Sequence, residues 1–127
     1  LLQPTSPLRT SQDIVNAVEL FKEKQADAII SVFEAHLHPY LSKTLGEKGN
    51  LVDLIGKSEN VPRQKLPKAF ILNGAIYLFR AELIKTIRSF YTDKTFPYIM
   101  PHERSLDIDS ELEFQIAEWI FKKNMKG

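Results

Sequence analysis

Cysteine is absent from the 127-residue chain, which rules out a disulfide framework and a thiolate metal site and fits a reducing compartment. An excess of either charge is missing too. Seventeen Lys and Arg stand against sixteen Asp and Glu, a formal net charge of +1, and the basic residues are scattered instead of forming a block, so no nucleic-acid partner is expected. No apolar run approaches the roughly 18 to 20 residues that cross a bilayer, and no signal peptide precedes the first element. The expectation is a cytoplasmic protein with no membrane partner. Internal repeats and low-complexity segments are also absent. The stretch "GEKGN", residues 46–50, faintly imitates a phosphate loop but lacks the G-x-x-x-x-G-K-[ST] pattern and a following helix, so it reads as a surface turn. The remaining composition is that of an ordinary globular protein, with the length of one domain.

The chain opens on "LLQPTSPLR", which reads as the end of a strand whose beginning is missing, and hence as a fragment. Thr10 and Asp13 form a capping-box pair ahead of Ile14, Ala17, Val18 and Phe21, the spacing of one helical face, so a helix is predicted over 11–24. "ADAIISVFEA" packs Ile29, Ile30, Val32 and Phe33 into a short apolar run, as in a strand buried on both faces. Strand, helix, strand in that order predicts a parallel βαβ unit. From His36 to Pro67 the pattern breaks into polar, turn-rich sequence with "LVDLI" as a possible strand, an excursion of the kind that contacts partners. "AFILNGAIYLFR" resumes the core as a strand, with Asn73 and Gly74 at an irregularity where something approaches the backbone. A short helix over 81–88, an extended "FPYIM" and a closing helix complete the α/β pattern. Ser110 and Glu113 would cap that last helix, and Leu112, Ile116, Ala117 and Ile120 would form its core stripe.

Two carboxylates stand out in "RSLDIDSELEFQIAE". In extended backbone, Asp107 and Asp109 point to the same side, roughly 6.5 to 7 Å apart at Cα, and could share a hard cation such as Mg²⁺, which suits phosphate chemistry. The alternative is that one aspartate helps cap the helix and the other is solvated, although Ser110 and Glu113 already supply a cap. Gln3, Thr5, Ser6 and Arg9 sit in a proline-stiffened loop at a strand end, where open α/β folds bind ligands, or where a plain turn would suffice. His36 and His38 could face one metal, but no third ligand is spaced to join them, and hydrogen-bonded histidines are the simpler reading. Tyr77, Phe90 and Tyr91 are either core aromatics or the wall of an apolar substrate pocket. Arg63 reads as a solvated charge in the polar excursion.

Taken together, "LLQPTSPLRTSQDI", "RQKLPKAFILNGAIYLF" and "RSLDIDSELEFQIAE", in this order and separation, closely resemble the CMP-N-acylneuraminate synthetases, the cytidylyltransferases that activate sialic acids. The resemblance implies an incomplete three-layer α/β nucleotidyltransferase (Rossmann-like) domain over residues 1–127, the C-terminal part of such an enzyme, with an extended dimerisation insert at 36–67. It implies transfer of CMP from CTP to a nine-carbon 2-keto sugar acid, with release of pyrophosphate and with Mg²⁺ as cofactor. Asp107 and Asp109 would be the catalytic, metal-binding pair. Gln3 would contact the sugar and Asn73 would be a substrate-binding residue near it, while Tyr77, Phe90 and Tyr91 would line the acyl pocket. Arg63 and Lys43 would lie on an arm that reaches the neighbouring site of a homodimer, Lys43 in a stretch, "HPYLSKT", that carries extra residues. Nothing in the chain matches the family's glycine, lysine and arginine-bearing loop that holds the CTP phosphates, so the chain alone is expected to be inactive. Two alternatives stay open: a cytidylyltransferase for legionaminic, pseudaminic or 3-deoxy-manno-octulosonic acid, or a non-catalytic dimerisation and sugar-binding fragment.

Overall fold

The Thr10 and Asp13 pair opens the first helix, α1 (Ser11–Glu23), as a reciprocal box: Asp13 N donates to Thr10 Oγ1 at 3.2 Å, and Thr10 N donates to Asp13 Oδ2 at 2.8 Å. The computed structural model describes residues 1–55, 63–86 and 89–124. After α1 come β1 (Ala28–Glu34), β2 (Lys43–Leu45), β3 (Leu51–Asp53), β4 (Phe70–Phe79), α2 (Ala81–Thr86), β5 (Thr95–Ile99) and α3 (Glu111–Asn124). They divide into two compact units, one formed by Leu1–Phe33 with Leu72–Gly127 and the other by Glu34–Ile71.

In the first unit β1 is the central strand of the order β4-β1-β5, and its residues from Ala28 to Val32 are all buried. That is why its sequence runs apolar without alternation. The parallel partner of β1 is β5, with Ile30 opposite Pro97, and Pro97 is tolerated because β5 is an outer strand of this sheet. No strand is assigned ahead of α1 among the described residues. Leu1 exchanges two backbone hydrogen bonds with Tyr77 of β4, at 2.7 and 2.9 Å. Ala17, Ala26, Ile29, Ala75, Ile76 and Met100 form the core, and Ile14, Leu20 and Phe21 of α1 pack against it. Burying a side chain the size of Ile29 contributes about 1.5 to 3 kcal/mol.

The predicted stripe of the closing helix holds in part. Ala117 is buried and Ile120 partly buried, but Leu112 and Ile116 are 66% and 41% exposed. Ala117 also lines a groove of about 220 Å³ with Pro7, Leu8, Ile108 and the exposed Phe114 and Phe121. Apolar residues lie on more than one face of α3, and helical spacing alone does not select between them.

In the second unit, β2 and β3 form an antiparallel hairpin with Lys43 opposite Asp53 and Leu45 opposite Leu51. Its turn is "GEKGN": Gly46 N donates to Asn50 O at 2.8 Å, Gly49 N donates to Gly46 O at 2.9 Å, and Gly49 takes a φ of +74° that favours glycine. His38 Nδ1 accepts from Tyr40 N at 3.3 Å while Nε2 meets Pro67 O at 2.9 Å, so its ring ties backbone together. No described residue from 34 to 71 is buried.

Candidate cation and substrate site

The irregularity in β4 organises the first unit's polar interior. Gly74 has a φ of +69°, and a Cβ there would collide with the Gln3 side-chain oxygen and lie 3.2 Å from Ser6 Oγ. The group that approaches the backbone is therefore Gln3, packed against the glycine, with its carbonyl accepting from Arg9 at 3.3 Å. Ser6 Oγ donates to Asn73 O at 2.9 Å. The Asn73 amide is fully engaged: Oδ1 accepts from Ser31 Oγ at 2.6 Å and from Ala75 N at 3.2 Å, and Nδ2 donates to Ser105 Oγ at 2.9 Å and faces Met100 Sδ at 3.4 Å. A buried amide left unpaired would cost about 1 to 3 kcal/mol, and here every position is met.

Ser105 begins the segment that carries the acidic pair. Its hydroxyl donates to Pro101 O at 2.9 Å, and further on Ile108 N donates to Thr5 O at 2.8 Å. Between those tethers Asp107 is half-buried, and its Oδ1 is buried with no hydrogen-bond partner in the protein. An orphaned carboxylate oxygen is a costly arrangement unless something binds it. Asp109 is exposed, and its N–H donates to Glu113 Oε2 at 2.9 Å. Glu113 also accepts from Ser110 Oγ at 2.9 Å, the bond that chiefly lowers its pKa. Ser110 and Glu113 thus cap α3, and neither aspartate side chain is used for that job. Two carboxylates, one with a dry free oxygen, fit a hard cation that keeps waters and phosphate oxygens as its other ligands. Among the described residues no group of three or more His, Cys, Asp or Glu gathers into a fuller ligand set.

An aromatic surface adjoins Asp107. Tyr77 and Phe90 have ring centroids 6.0 Å apart, and Phe79 and Phe90 4.9 Å. Phe90 is fixed through its carbonyl, which accepts from Thr95 Oγ1 at 2.7 Å. Burial raises the Tyr77 pKa, and the neighbouring Tyr91 and Asp107 charges raise it further. Tyr91 is mostly exposed. Tyr77, Phe90, Tyr91 and Asp107 therefore form one neighbourhood. The two arm residues belong to the second unit: Lys43 Nζ pairs with Asp53 across the hairpin, and Arg63 opens a short 3-10 turn, Arg63–Lys65, its side chain lying outside the described residues.

Sequence reasoning missed one group. Asp13 is buried and accepts from Thr10 Oγ1 at 2.7 Å, from Tyr98 OH at 3.1 Å, and from Arg104 through Nε at 3.1 Å and through a terminal nitrogen at 2.8 Å. Burial pushes its pKa up, but the Arg104 and Thr10 hydrogen bonds outweigh that and hold it at about 2. The signal read in T-x-x-D was a helix cap, and a cap does not announce an arginine far along the chain.

A mixed α/β unit with a parallel strand pair, bearing an acidic pair beside aromatics, is compatible with an incomplete nucleotidyltransferase-like domain. No family model matches the chain. It is 39% identical over 114 residues to the N-acylneuraminate cytidylyltransferase of Streptococcus agalactiae serotype III, covering 90% of this chain and 28% of that protein. It is 35% identical over 128 residues to the post-translational flagellin modification protein B of Campylobacter coli, covering 99% of this chain and 54% of that protein. With the CMP-N,N'-diacetyllegionaminic acid synthase of Legionella pneumophila it shares 32% identity over 130 residues, covering 100% of this chain and 55% of that protein. The chain is thus similar to these cytidylyltransferases over part of their length, spanning between about a quarter and about half of the relatives it matches.

Proposed function

We propose that the chain supplies the sugar-binding, metal-binding and subunit-pairing elements of a cytidylyltransferase that joins CTP to a sialic-acid-type sugar, giving the CMP-sugar and pyrophosphate. The observation that carries this reading is the buried, unpartnered Asp107 Oδ1 beside Tyr77, Phe90 and Tyr91. Asp107 and Asp109 would hold Mg²⁺, which when bound offsets negative charge on the phosphates. The sugar's anomeric hydroxyl attacks the α-phosphorus and pyrophosphate leaves, so no covalent enzyme intermediate is needed and the protein's task is positioning. Tyr77, Phe90 and Tyr91 give an apolar wall for the acyl group, and Gln3, seated on Gly74, offers a polar contact to the sugar. Asn73, on the same strand as Tyr77, would lie near the substrate.

The hairpin unit would pair two copies of the chain. Leu37, Leu45, Leu51 and Leu54 are all exposed there, and Arg63 and Lys43 would meet the acidic sugar of the neighbouring subunit. Lys43 would exchange Asp53 for the sugar carboxylate. The match to both sialic-acid and legionaminic-acid enzymes supports a nine-carbon acidic sugar and leaves the acyl pattern to the aromatic wall.

Calorimetric titration with N-acetylneuraminic acid and with N,N'-diacetyllegionaminic acid, in the presence of Mg²⁺, tests the proposal. Binding of one of them, weakened about fivefold or more by Tyr77→Ala, is expected, since an aromatic contact of this kind contributes about 1 kcal/mol or more. Equal binding by wild type and variant would sink the sugar-site reading. A second reading, binding and pairing without turnover, predicts sugar binding but no CMP-sugar from CTP.

A further inference from the structure

The segment from Arg104 to Asp109 is tied down more heavily than a connection between a strand and a helix requires. Arg104 grips both oxygens of Asp13 in a fork, at 2.8 and 3.1 Å, although Thr10 alone would complete the α1 cap. Asp13 is 1% exposed and the Arg104 side chain 36%, so this is a two-pronged ion pair on a desolvated carboxylate and not a loose surface contact. The next residue, Ser105, is held by Asn73 at 2.9 Å, and Ile108 is held by Thr5 at 2.8 Å. Asp107 lies between these ties, and its Oδ1 is the one buried side-chain oxygen or nitrogen among the described residues without a partner. Leaving that oxygen dry is costly, and a loop free to turn would let water reach it.

We propose that the Asp13–Arg104 pair is a positioning device for the acidic pair: it fixes the start of the segment so that Asp107 keeps its oxygen aimed at a divalent cation. This rests on the metal reading above and adds to it a brace whose two members touch neither cation nor substrate. The physical logic is that of groups behind a metal ligand, which hold it in its binding orientation and whose loss typically weakens metal affinity by roughly 10- to 100-fold. Asn73 acts in the same way through Ser105, which accounts for an amide with no bonding capacity left for sugar.

The experiment measures Mn²⁺ binding to the chain by electron paramagnetic resonance, with amide hydrogen exchange at Ile108 as a second readout. Wild type, Asp107→Asn, Asp13→Asn, Arg104→Lys and Ala17→Gly are compared. Asp13→Asn retains a cap-forming side chain and Arg104→Lys retains the charge, so both are chosen to fold while losing the fork. Each is expected to weaken Mn²⁺ binding roughly tenfold or more and to speed exchange at Ile108. Ala17→Gly destabilises the same helix without touching the brace, and should lower the melting temperature yet leave Mn²⁺ affinity unchanged. If Asp107→Asn loses Mn²⁺ while both brace variants bind it like wild type, the positioning role is overturned and the metal reading stands. Loss of affinity in Ala17→Gly equal to that in the brace variants would also overturn it, as a general stability effect. If wild type binds no Mn²⁺, the metal reading itself fails and the brace proposal falls with it.

Discussion

In the unit formed by Leu1–Phe33 and Leu72–Gly127, five consecutive residues of β1 are buried, and Ile29 and Ala17 expose no surface. Between Glu34 and Ile71 no described residue is buried, and Leu37, Leu45 and Leu51 are 79%, 71% and 71% exposed. One unit has a buried core of its own, although Leu112, Phe114, Trp119 and Phe121 of α3 stay exposed; the other displays its leucines on and around a two-stranded hairpin, an element that is marginal by itself in water. The polar groups differ in parallel. Asn73, Ser31, Ser105 and Asp13 form buried, satisfied networks in the first unit, whereas the ion pairs of the second, Lys43 with Asp53 and Lys68 with Glu34, are at the surface. Chemistry on a phosphate needs fixed donors, and the first unit has the means to fix them. The exposed leucines of the second are what the proposed pairing would cover.

The sharpest way to break this contrast is a matched pair of truncations. Ile29→Ala should cost about 2 to 5 kcal/mol, because it opens a cavity in a close-packed interior. Leu45→Ala, measured on dilute protein, should change stability by about 0.5 kcal/mol or less, since little is lost from a side chain already in water. Urea unfolding of both variants checks this, and comparable losses would mean that the hairpin is packed in the free chain.

Self-association gives the next largest effect. Leu45→Asp combined with Leu51→Asp places two carboxylates on adjacent hairpin strands and should weaken dimerisation at least about 100-fold, a change of roughly 2.7 kcal/mol. Sedimentation equilibrium reads it directly. A wild-type chain that stays monomeric at high concentration would remove the hairpin's assigned role.

Acid titration tests the buried network. Asp13 has its pKa lowered from 3.8 to about 2, so its ionised form stabilises the fold, by about 2 kcal/mol where it is fully charged. The sign is that of a depressed carboxylate: the contribution is complete above about pH 5 and is lost as pH falls through 3.8 toward 2. Asp13→Asn should therefore be less stable than wild type by about that amount at neutral pH, with the gap closing on acidification. A gap independent of pH would assign the loss to packing instead of charge.

How much of this was legible in the sequence depended on range. α1 was readable because its capping box joins Thr10 to Asp13, three residues away, and β1 because an unbroken apolar run suits a strand covered on both faces. The glycine irregularity in β4 was readable as a vacancy for an approaching group, though not as the place of Gln3. The β2–β3 hairpin was only half seen, since strands of three residues offer no alternation to count. α3 was half readable: Ala117 and Ile120 of its predicted stripe are turned inward, but Leu112 and Ile116 are exposed, because apolar residues lie on more than one face of the helix. The acidic pair was visible as a pattern and as a resemblance. The Arg104 fork on Asp13, which spans 91 residues, was not visible at all, because no local spacing encodes a tertiary ion pair.

The smallest effect separates the two aspartates' possible roles. Ser110 and Glu113 cap α3, and the Asp109 side chain is exposed. Asp109→Asn should then move stability by only a few tenths of a kcal/mol, because asparagine serves near a helix start about as well as aspartate. Thermal unfolding measures that part. Metal affinity should respond far more, by roughly tenfold or greater, since a neutral amide is a poor substitute for a carboxylate on a hard cation. The informative quantity is thus the ratio of the two changes. A variant that loses melting temperature and keeps its Mn²⁺ affinity would return Asp109 to the helix cap and leave Asp107 alone as the cation's ligand.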